Sequence, residues 1–97
     1  LYLLKPGFED PAYPDTTFYC WHCALMEGVL ASFPELGADL DVKRIAWPHP
    51  RTELVELLGE ENQSLPVLIL DDGGFIDDKD SILEALSERH GFPEPHP

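Results

Sequence analysis

Short runs of apolar residues along the chain predict four strands. Residues 1–4 form a continuous apolar run, which is typical of a strand buried on both faces. Residues 40–47 alternate less regularly and predict a second strand with a bulge or at a sheet edge. Residues 67–70 are again continuous and predict a central strand. The turn at 71–74, Asp-Asp-Gly-Gly, then leads into a short returning strand over 75–77.

Apolar residues that recur at helical spacing predict three helices. The first spans residues 20–33 and the second spans residues 51–61. The third begins at an Asp80-Ser81 cap, with Glu84 completing a capping box, and ends at Gly91. The positions expected to face the core are Leu25, Val29 and Phe33 in the first helix, Leu54, Leu57 and Leu58 in the second, and Ile82, Ala85 and Leu86 in the third.

Two segments follow neither pattern. Residues 7–19 hold two prolines, three acids and four aromatic residues, and they predict a loop inserted before the first helix. This loop is either a flap beside the cysteines or a surface connection pinned by Phe8 and Tyr13. Residues 92–97 predict a loose tail. Because 97 residues leave no room for a second core, we expect one domain over residues 1–97.

The charge balance narrows the classes of partner. Six basic residues against nineteen acidic ones give a formal net charge of −13. Phosphate groups would be repelled, so neither nucleic acid nor an anionic membrane surface is expected as a partner. A hydrophobic fraction of 43% is enough for a packed interior. No apolar stretch has the length of a membrane span and no signal peptide is recognisable, so we expect a cytoplasmic location.

The two cysteines of the chain stand three positions apart, in the CxxC motif Cys20-Trp21-His22-Cys23. A cysteine at a helix start has its thiolate stabilised by free backbone N–H groups and by the positive end of the helix dipole. A second cysteine one turn later can attack a mixed disulfide formed by the first. This spacing therefore points to thiol–disulfide exchange.

The predicted order of elements is strand, helix, strand, helix, strand, strand, helix. With a CxxC motif after the first strand and Leu65-Pro66 opening the third, this order resembles the thioredoxin-like fold over nearly the whole chain. It is most similar to the glutaredoxins and to the N-terminal domain of glutathione transferases. The resemblance implies a four-stranded mixed sheet flanked by three helices. An uncharacterised bacterial family, a domain of unknown function with this fold, also fits the pattern.

The resemblance implies roles for the residues of the CxxC motif. Cys20 would be the exposed nucleophile and Cys23 the buried resolving thiol. His22 would stabilise the Cys20 thiolate and make the couple more oxidising. Trp21 stands where the family usually has proline or tyrosine, and it would border the substrate. The alternative is that the cysteines are an inert pair of small residues.

Two further pairs are expected to bind substrate if the resemblance holds. Leu65 and a cis Pro66 would lie across from the CxxC motif and present the Leu65 backbone to a bound thiol compound. A proline that merely starts a strand is the ordinary alternative. Asp80 and Ser81 would hold the γ-glutamyl group of glutathione at a helix N-terminus. Plain helix capping explains the same two residues.

The implied function is that of a glutaredoxin-like thiol–disulfide oxidoreductase. We expect no tightly bound cofactor, glutathione as a candidate co-substrate, and protein or low-molecular-weight thiols and disulfides as partners. The aspartates between residues 71 and 80 oppose an anionic ligand.

Three alternatives stay open at this point. The first is a non-catalytic module that binds glutathione or a peptide. The second is a zinc site that the cysteines share with a histidine. The third is an iron–sulfur cluster shared by two chains. Because no second ligand pair stands at a suitable spacing, no metal ligand is assigned. The histidines considered as further zinc ligands are His49, His90 and His96.

Overall fold

The computed structural model describes residues 1–97 as a mixed α/β structure. Its order is the one predicted from the sequence, with an additional pair of short strands before the first helix. None of the three helices has the length and apolar character to cross a membrane. The elements are β1 (Tyr2–Leu4), β2 (Phe8–Glu9), β3 (Thr17–Phe18), α1 (Trp21–Ser32), β4 (Lys43–Ile45), α2 (Thr52–Leu58), β5 (Leu68–Ile69), β6 (Phe75–Ile76) and α3 (Lys79–His90).

Strand β1 is at the centre of the core. All three of its residues are buried, as the continuous apolar run predicts. Successive side chains of a strand point to opposite faces, and here Tyr2 and Leu3 enter different clusters. Leu3 belongs to the main core, which also contains Met26 of α1 and Leu86 of α3. Tyr2 packs on the other face with Leu54 of α2. Helices therefore cover β1 from both sides.

The strands form three two-stranded ladders instead of the expected single four-stranded sheet. β1 pairs in parallel with β4, β2 pairs antiparallel with β3, and β5 pairs antiparallel with β6. One further antiparallel bridge connects β1 to the residue before β5: the N–H of Tyr2 donates to Val67 O (2.8 Å) and the N–H of Val67 donates to Tyr2 O (3.1 Å). The strands are only two or three residues long, so each ladder is short.

The segment 7–19 is more ordered in structure than the predicted loop. Its two ends pair as β2 and β3, so the segment is a small hairpin. Phe8 stacks on Phe18 with 6.1 Å between ring centroids and on Trp47 with 5.5 Å. Tyr13 contacts the edge of Phe18 but is 62% exposed. Packing of aromatic rings therefore holds this segment in place, mainly through Phe8. Its aromatic residues follow neither a helical nor a strand period.

The buried face of α1 differs from the predicted stripe. Cys23 and Met26 are the buried residues of the helix, whereas Leu25 and Phe33 are 39% and 37% exposed. Of the predicted stripe, only Val29 packs against the main core. Leu25 is one position before Met26 and two after Cys23, so its side chain points to a different side of the helix from the buried residues. In α2 the helix is shorter than the predicted 51–61, and Leu57 is 52% exposed while Leu54 is fully buried.

The last helix ends as predicted, but the chain beyond it does not begin as a loose tail. Gly91 caps α3 in the left-handed conformation with φ of 73°. Phe92 is buried, with 3% of its surface exposed, and belongs to the main core. Residues 93–97 have no regular structure and are exposed. The predicted tail therefore starts one residue later, because the turn at Gly91 directs Phe92 back onto the core.

Candidate dithiol site

The sulfur of Cys20 forms the N-cap of α1. Cys20 has an extended backbone, with φ of −80° and ψ of 116°, and its Sγ accepts a hydrogen bond from the Cys23 N–H at 3.2 Å. Serine, threonine or aspartate usually fills this position, because the first N–H groups of a helix lack partners within the helix. A sulfur at this point is held in place by the backbone. It lies where the helix dipole favours negative charge.

Cys23 lies one turn further along and has a different environment. It is buried, with 2% of its surface exposed, and its Sγ accepts a hydrogen bond from the Leu4 N–H at 3.4 Å. Burial, followed by the neighbouring Cys20 thiol, raises the pKa of Cys23 to about 12, although the Leu4 hydrogen bond opposes this rise. Cys23 is therefore a protonated thiol at neutral pH. Both cysteines are free thiols, and Cys20 is the one with partial exposure.

The Leu65-Pro66 segment lies against Cys20, which is the placement that the family resemblance implies. The carbonyl oxygen of Leu65 is 3.9 Å from Cys20 Sγ, close enough for a weak S–H···O contact. The Leu65–Pro66 peptide bond is cis. Pro66 is buried next to Val67, whose backbone bonds to β1. The segment is thus fixed to the core on one side and borders the cysteine on the other.

The two middle residues of the CxxC motif extend away from the core. Trp21 is 67% exposed, and its ring lies 3.9 Å from that of His22, measured between centroids. The pKa of Asp78 is lowered most by the hydrogen bond from the Ser81 N–H and next by the one from the Ser81 hydroxyl. The charges of Lys79 and His22 lower it further by smaller amounts.

The predicted cap of α3 is corrected by the structure. The N-cap is Asp78, whose Oδ2 accepts hydrogen bonds from the Ser81 N–H at 3.0 Å and the Ser81 hydroxyl at 2.9 Å. Asp80 and Ser81 lie inside the first turn of the helix, and Glu84 does not complete a capping box with them. Aspartate three positions before serine satisfies the free N–H groups directly. The Asp78 to Ser81 spacing is the sequence signal that would have located this cap.

The two cysteines and Asp80 line different cavities. A cavity of about 310 Å³ beside the thiols is lined by Leu4, Pro6, Tyr19, Cys20, Cys23, Ala24 and Glu27. Asp80 instead lines an apolar groove of about 390 Å³ between α1 and α3, together with Leu25, Val29, Phe33, Leu83, Phe92 and other residues. The structure thus brings Cys20, Cys23 and Leu65 together. It does not bring Asp80 into the cavity that contains the thiols.

Arg51 is a buried residue that the sequence did not single out. It is the one charged residue that is buried, with 8% of its surface exposed. Its pKa is lowered by burial, while the charges of Cys23 and Cys20 act in the opposite direction. Arg51 belongs to no motif and to no apolar stripe. It stands at the predicted start of a helix, where a charged residue is ordinarily exposed, so the sequence gives no sign that it is buried.

The histidines considered as zinc ligands are dispersed. His49 lies at the edge of the Trp47 ring, His90 is 3.5 Å from an oxygen of Asp39, and His96 contacts the C-terminal residue. No group of three or more histidine, cysteine, aspartate or glutamate side chains is arranged to hold a metal ion. The zinc alternative therefore lacks the donor set that it requires.

Comparison with known proteins gives a family but no activity. No curated protein and no solved structure matches the chain. One family model matches, and it covers residues 1–94, which is nearly the entire sequence. The chain therefore belongs to the family described as protein of unknown function DUF3088.

Proposed function

We propose that this protein is a thiol–disulfide oxidoreductase with a thioredoxin-like arrangement of the glutaredoxin type. Cys20 is the attacking thiolate and Cys23 is the resolving thiol. One observation carries the proposal: a partly exposed Cys20 sulfur accepts the Cys23 N–H at a helix start and lies 3.9 Å from the Leu65 carbonyl. A reactive cysteine needs access and a donor for its anion, and here the partial exposure of Cys20 and the Cys23 N–H support these two requirements.

The strand pairing supports the proposed thioredoxin-like arrangement. The bridge between Tyr2 and Val67 connects the β1–β4 ladder to the β5–β6 ladder. Extended through that bridge, the strands lie in the order β4, β1, β5, β6, with one parallel and two antiparallel neighbours. Helices cover this layer on both faces, since Leu3 and Tyr2 contact different helices. In this proposal, the four strands act as the mixed sheet that the sequence resemblance implies.

The proposed reaction transfers two electrons from the protein to a disulfide. The Cys20 thiolate attacks one sulfur of the substrate disulfide, forms a mixed disulfide and expels the first substrate thiolate. Cys23 then attacks the Cys20 sulfur, forms the Cys20–Cys23 disulfide and expels the second thiolate. The proton of Cys23 passes to this leaving thiolate. Two molecules of a low-molecular-weight thiol complete the cycle by reducing the protein disulfide, and they leave as their own disulfide.

The other predicted residues have supporting roles in this proposal. The exposed ring of Trp21 borders the approach to Cys20, and His22 lies beside it. The Leu65 backbone faces the substrate. Asp80 and Ser81 stand at the start of α3, and Ser81 is engaged by Asp78. Any glutathione contact at this end of α3 would therefore use free backbone N–H groups rather than the Ser81 hydroxyl.

The expected partners are protein and low-molecular-weight thiols and disulfides. Glutathione is the candidate co-substrate that the resemblance suggests, although its negative charge opposes the net charge of −13. A cytoplasmic location is part of the proposal, because abundant low-molecular-weight thiols there would supply the electrons.

A turnover assay tests the proposal. Reduction of a glutathione mixed disulfide is followed for the wild type, for Cys20→Ser and for Cys23→Ser. We expect Cys20→Ser to lose all activity. We expect Cys23→Ser to accumulate one mixed disulfide per chain, visible by mass spectrometry, because the resolving thiol is absent.

The same assay distinguishes catalysis from a non-catalytic binding module. A module that only binds glutathione or a peptide would show no turnover in the wild type, and its binding would survive Cys20→Ser. Equal turnover in the wild type and Cys20→Ser would also contradict the proposal. The matched control is Ser32→Ala, at the far end of α1, where the hydroxyl bonds only the Gly28 carbonyl (2.8 Å).

A further inference from the structure

An apolar groove of about 390 Å³ lies between α1 and α3, and neither cysteine lines it. Its floor is buried, since Leu86 and Phe92 belong to the main core. Its edge is open, since Leu25 and Phe33 are 39% and 37% exposed. The Phe33 ring contacts Phe92 edge-on, with 6.3 Å between ring centroids. Sites that bind a ligand typically have a volume of about 300–1,000 Å³, so the groove has the size of a binding site.

A row of carboxylates borders this groove on α3. Asp80, Glu84 and Glu88, here called the carboxylate row, are exposed and stand four positions apart. They therefore share one face of the helix over about 12 Å. They line a second cavity, of about 340 Å³, which shares Asp80 and Leu83 with the groove. The apolar groove and the carboxylate row are thus parts of one continuous surface.

Most of the charge of the carboxylate row is not balanced within the protein. Like charges four positions apart on a helix repel each other, which destabilises the helix. Lys79, the basic residue that lines the groove, forms an ion pair with Asp80 at 3.1 Å. Neither Glu84 nor Glu88 belongs to any of the four ion pairs of the protein. The row therefore leaves two carboxylates for a cationic partner.

Charge selects among the occupants that such a groove can have. A second copy of the chain would bring another net charge of −13, so it would be repelled. Nucleic acid and an anionic membrane would be repelled for the same reason. In helix-in-groove recognition, a partner helix lays its apolar face into a hydrophobic groove. A helix that is apolar on one face and basic beside it matches both the groove and the carboxylate row.

We propose that the groove between α1 and α3 is a docking site for a basic amphipathic helix of another protein. Apolar side chains on one face of the partner helix fill the groove between Leu25, Phe33 and Leu83. Lysine or arginine side chains on the flank of the same helix pair with Glu84 and Glu88. Because neither cysteine lines the groove, this surface is separate from the proposed thiol chemistry and does not depend on it.

The test measures the binding of a designed peptide to the full-length protein by fluorescence anisotropy. The labelled peptide has about fourteen residues, four helical turns, with leucine on one face and lysine on the other. A second peptide has glutamate in place of lysine, and a third has serine in place of leucine. We expect the leucine–lysine peptide to bind at least roughly tenfold more tightly than either of the others.

Two double variants locate the binding. Glu84→Lys with Glu88→Lys reverses the charge of the row. Leu25→Gln with Phe33→Gln removes the apolar edge of the groove. We expect each double variant to weaken binding of the leucine–lysine peptide roughly tenfold or more. Thermal unfolding checks that each variant is folded, and Leu25→Gln alone replaces the apolar double variant if that one does not fold.

Matched changes on and just after α2 are the controls. Glu56 and Glu60 are also exposed and four positions apart, and they line a different cavity, of about 400 Å³. Glu56→Lys with Glu60→Lys therefore makes the same change in net charge at the same spacing. Leu57→Gln removes an apolar side chain that is 52% exposed. Both controls should leave binding of the leucine–lysine peptide within twofold of the wild type.

Several outcomes would overturn the inference. Equal losses in the two charge-reversed variants would show that the peptide is attracted by net charge alone. Unchanged binding after Leu25→Gln with Phe33→Gln would show that the groove is not used. A dimer in sedimentation equilibrium that Leu25→Gln disrupts would show that a second copy covers the groove. None of the substituted residues is assigned to the thiol chemistry, so these results and the turnover assay of Cys20→Ser stand or fall separately.

Discussion

The two cysteines have opposite environments although only one helical turn separates them. Cys20 is partly exposed at the N-cap, and its sulfur accepts a backbone N–H. Cys23 is buried, and burial and the Cys20 thiol raise its pKa to about 12. A thiol that can be reached and ionised is suited to attack, whereas a buried thiol is suited to resolve an intermediate that forms beside it. This asymmetry sets the order of steps in the proposed reaction.

The cap of α3 gives a prediction about pH. The Ser81 N–H and hydroxyl hold the pKa of Asp78 below its usual value near 4, so the folded state favours the carboxylate. This stabilisation is complete above that usual value and is lost as the pH falls through the lower pKa of the folded state. Asparagine also caps helices well, so Asp78→Asn isolates the effect of the charge.

We therefore expect the melting temperature of Asp78→Asn to lie below that of the wild type between about pH 5 and 7, with the difference closing toward about pH 2. Thermal melts followed by circular dichroism measure this difference. The control is Asp77→Asn, at the adjacent acidic position outside the cap. A difference that persists in acid, or an equal pH-dependent difference in the control, would contradict the assigned cap.

At the level of single residues, the sequence identified the site residues that belong to a recognisable motif. The CxxC spacing located Cys20 and Cys23, and the family resemblance implied the position of Leu65 beside them. Arg51 and Asp78 were missed for a physical reason. A buried arginine is recognisable only from the segments that surround it, and a cap is assigned wrongly if the first turn of its helix is misplaced by two residues.

Among the elements, α1 and α3 determine the geometry of the site. Both pack on the same face of β1 through Met26 and Leu86. The N-terminal end of α1 carries Cys20, and the N-terminal end of α3 carries Asp80 and Ser81. Stability at the other ends of these helices can therefore be altered without touching the thiols.

Replacing either of two glycines on these helices with alanine should change the free energy of unfolding, in opposite directions at the two positions. Gly28 lies inside α1 and Gly91 caps α3 with φ of 73°, and a methyl group at either position would meet no atom within 4 Å. We expect Gly28→Ala to raise the free energy of unfolding by about 0.5–1 kcal/mol, because glycine weakens a helix interior. Gly91→Ala should lower it by about 1 kcal/mol, because alanine disfavours the left-handed conformation.

Urea unfolding of both glycine variants checks these values. Each variant is the matched control of the other, since the chemical change is the same and only the backbone conformation differs. Two shifts of the same sign would contradict the assigned end of α3. Thiol alkylation should remain unchanged in both variants.

The types and order of the elements were predictable, but their contacts were less so. Helical periodicity located α1, α2 and α3 to within a few residues. It misjudged the buried face of α1, because Leu25 and Phe33 face a groove rather than β1. The hairpin of β2 and β3 was missed because stacking of Phe8 on Trp47, rather than an alternating pattern, fixes it.

The whole molecule combines a strongly negative surface with a small core. The net charge of −13 surrounds a core centred on β1, with helices on both faces. Sequence alone predicted the mixed α/β class and the burial of β1. It could not establish the extent of the sheet, because strands of two or three residues carry too few positions to show a period. The sign of the surface charge bears directly on the choice of substrate.

We expect the rate of disulfide reduction to depend on salt according to substrate charge. Oxidised glutathione is anionic, so raising the ionic strength from about 0.02 to 0.5 M should increase its rate severalfold by screening repulsion. Cystamine is cationic and should react more slowly as salt increases. The neutral disulfide of 2-mercaptoethanol is the control and should change little. The same trend for all three compounds would show that surface charge does not influence access to Cys20.

The central claim is that Cys20 and Cys23 form a reversible two-electron couple. Its most direct measurement is to equilibrate the protein in buffers with graded ratios of reduced to oxidised thiol and to count free cysteines by alkylation and mass spectrometry. We expect both thiols to disappear together in one transition with the slope of a two-electron reaction, and Cys20→Ser to show no such transition. Two free thiols at every ratio, or cysteines that titrate separately, would contradict this account.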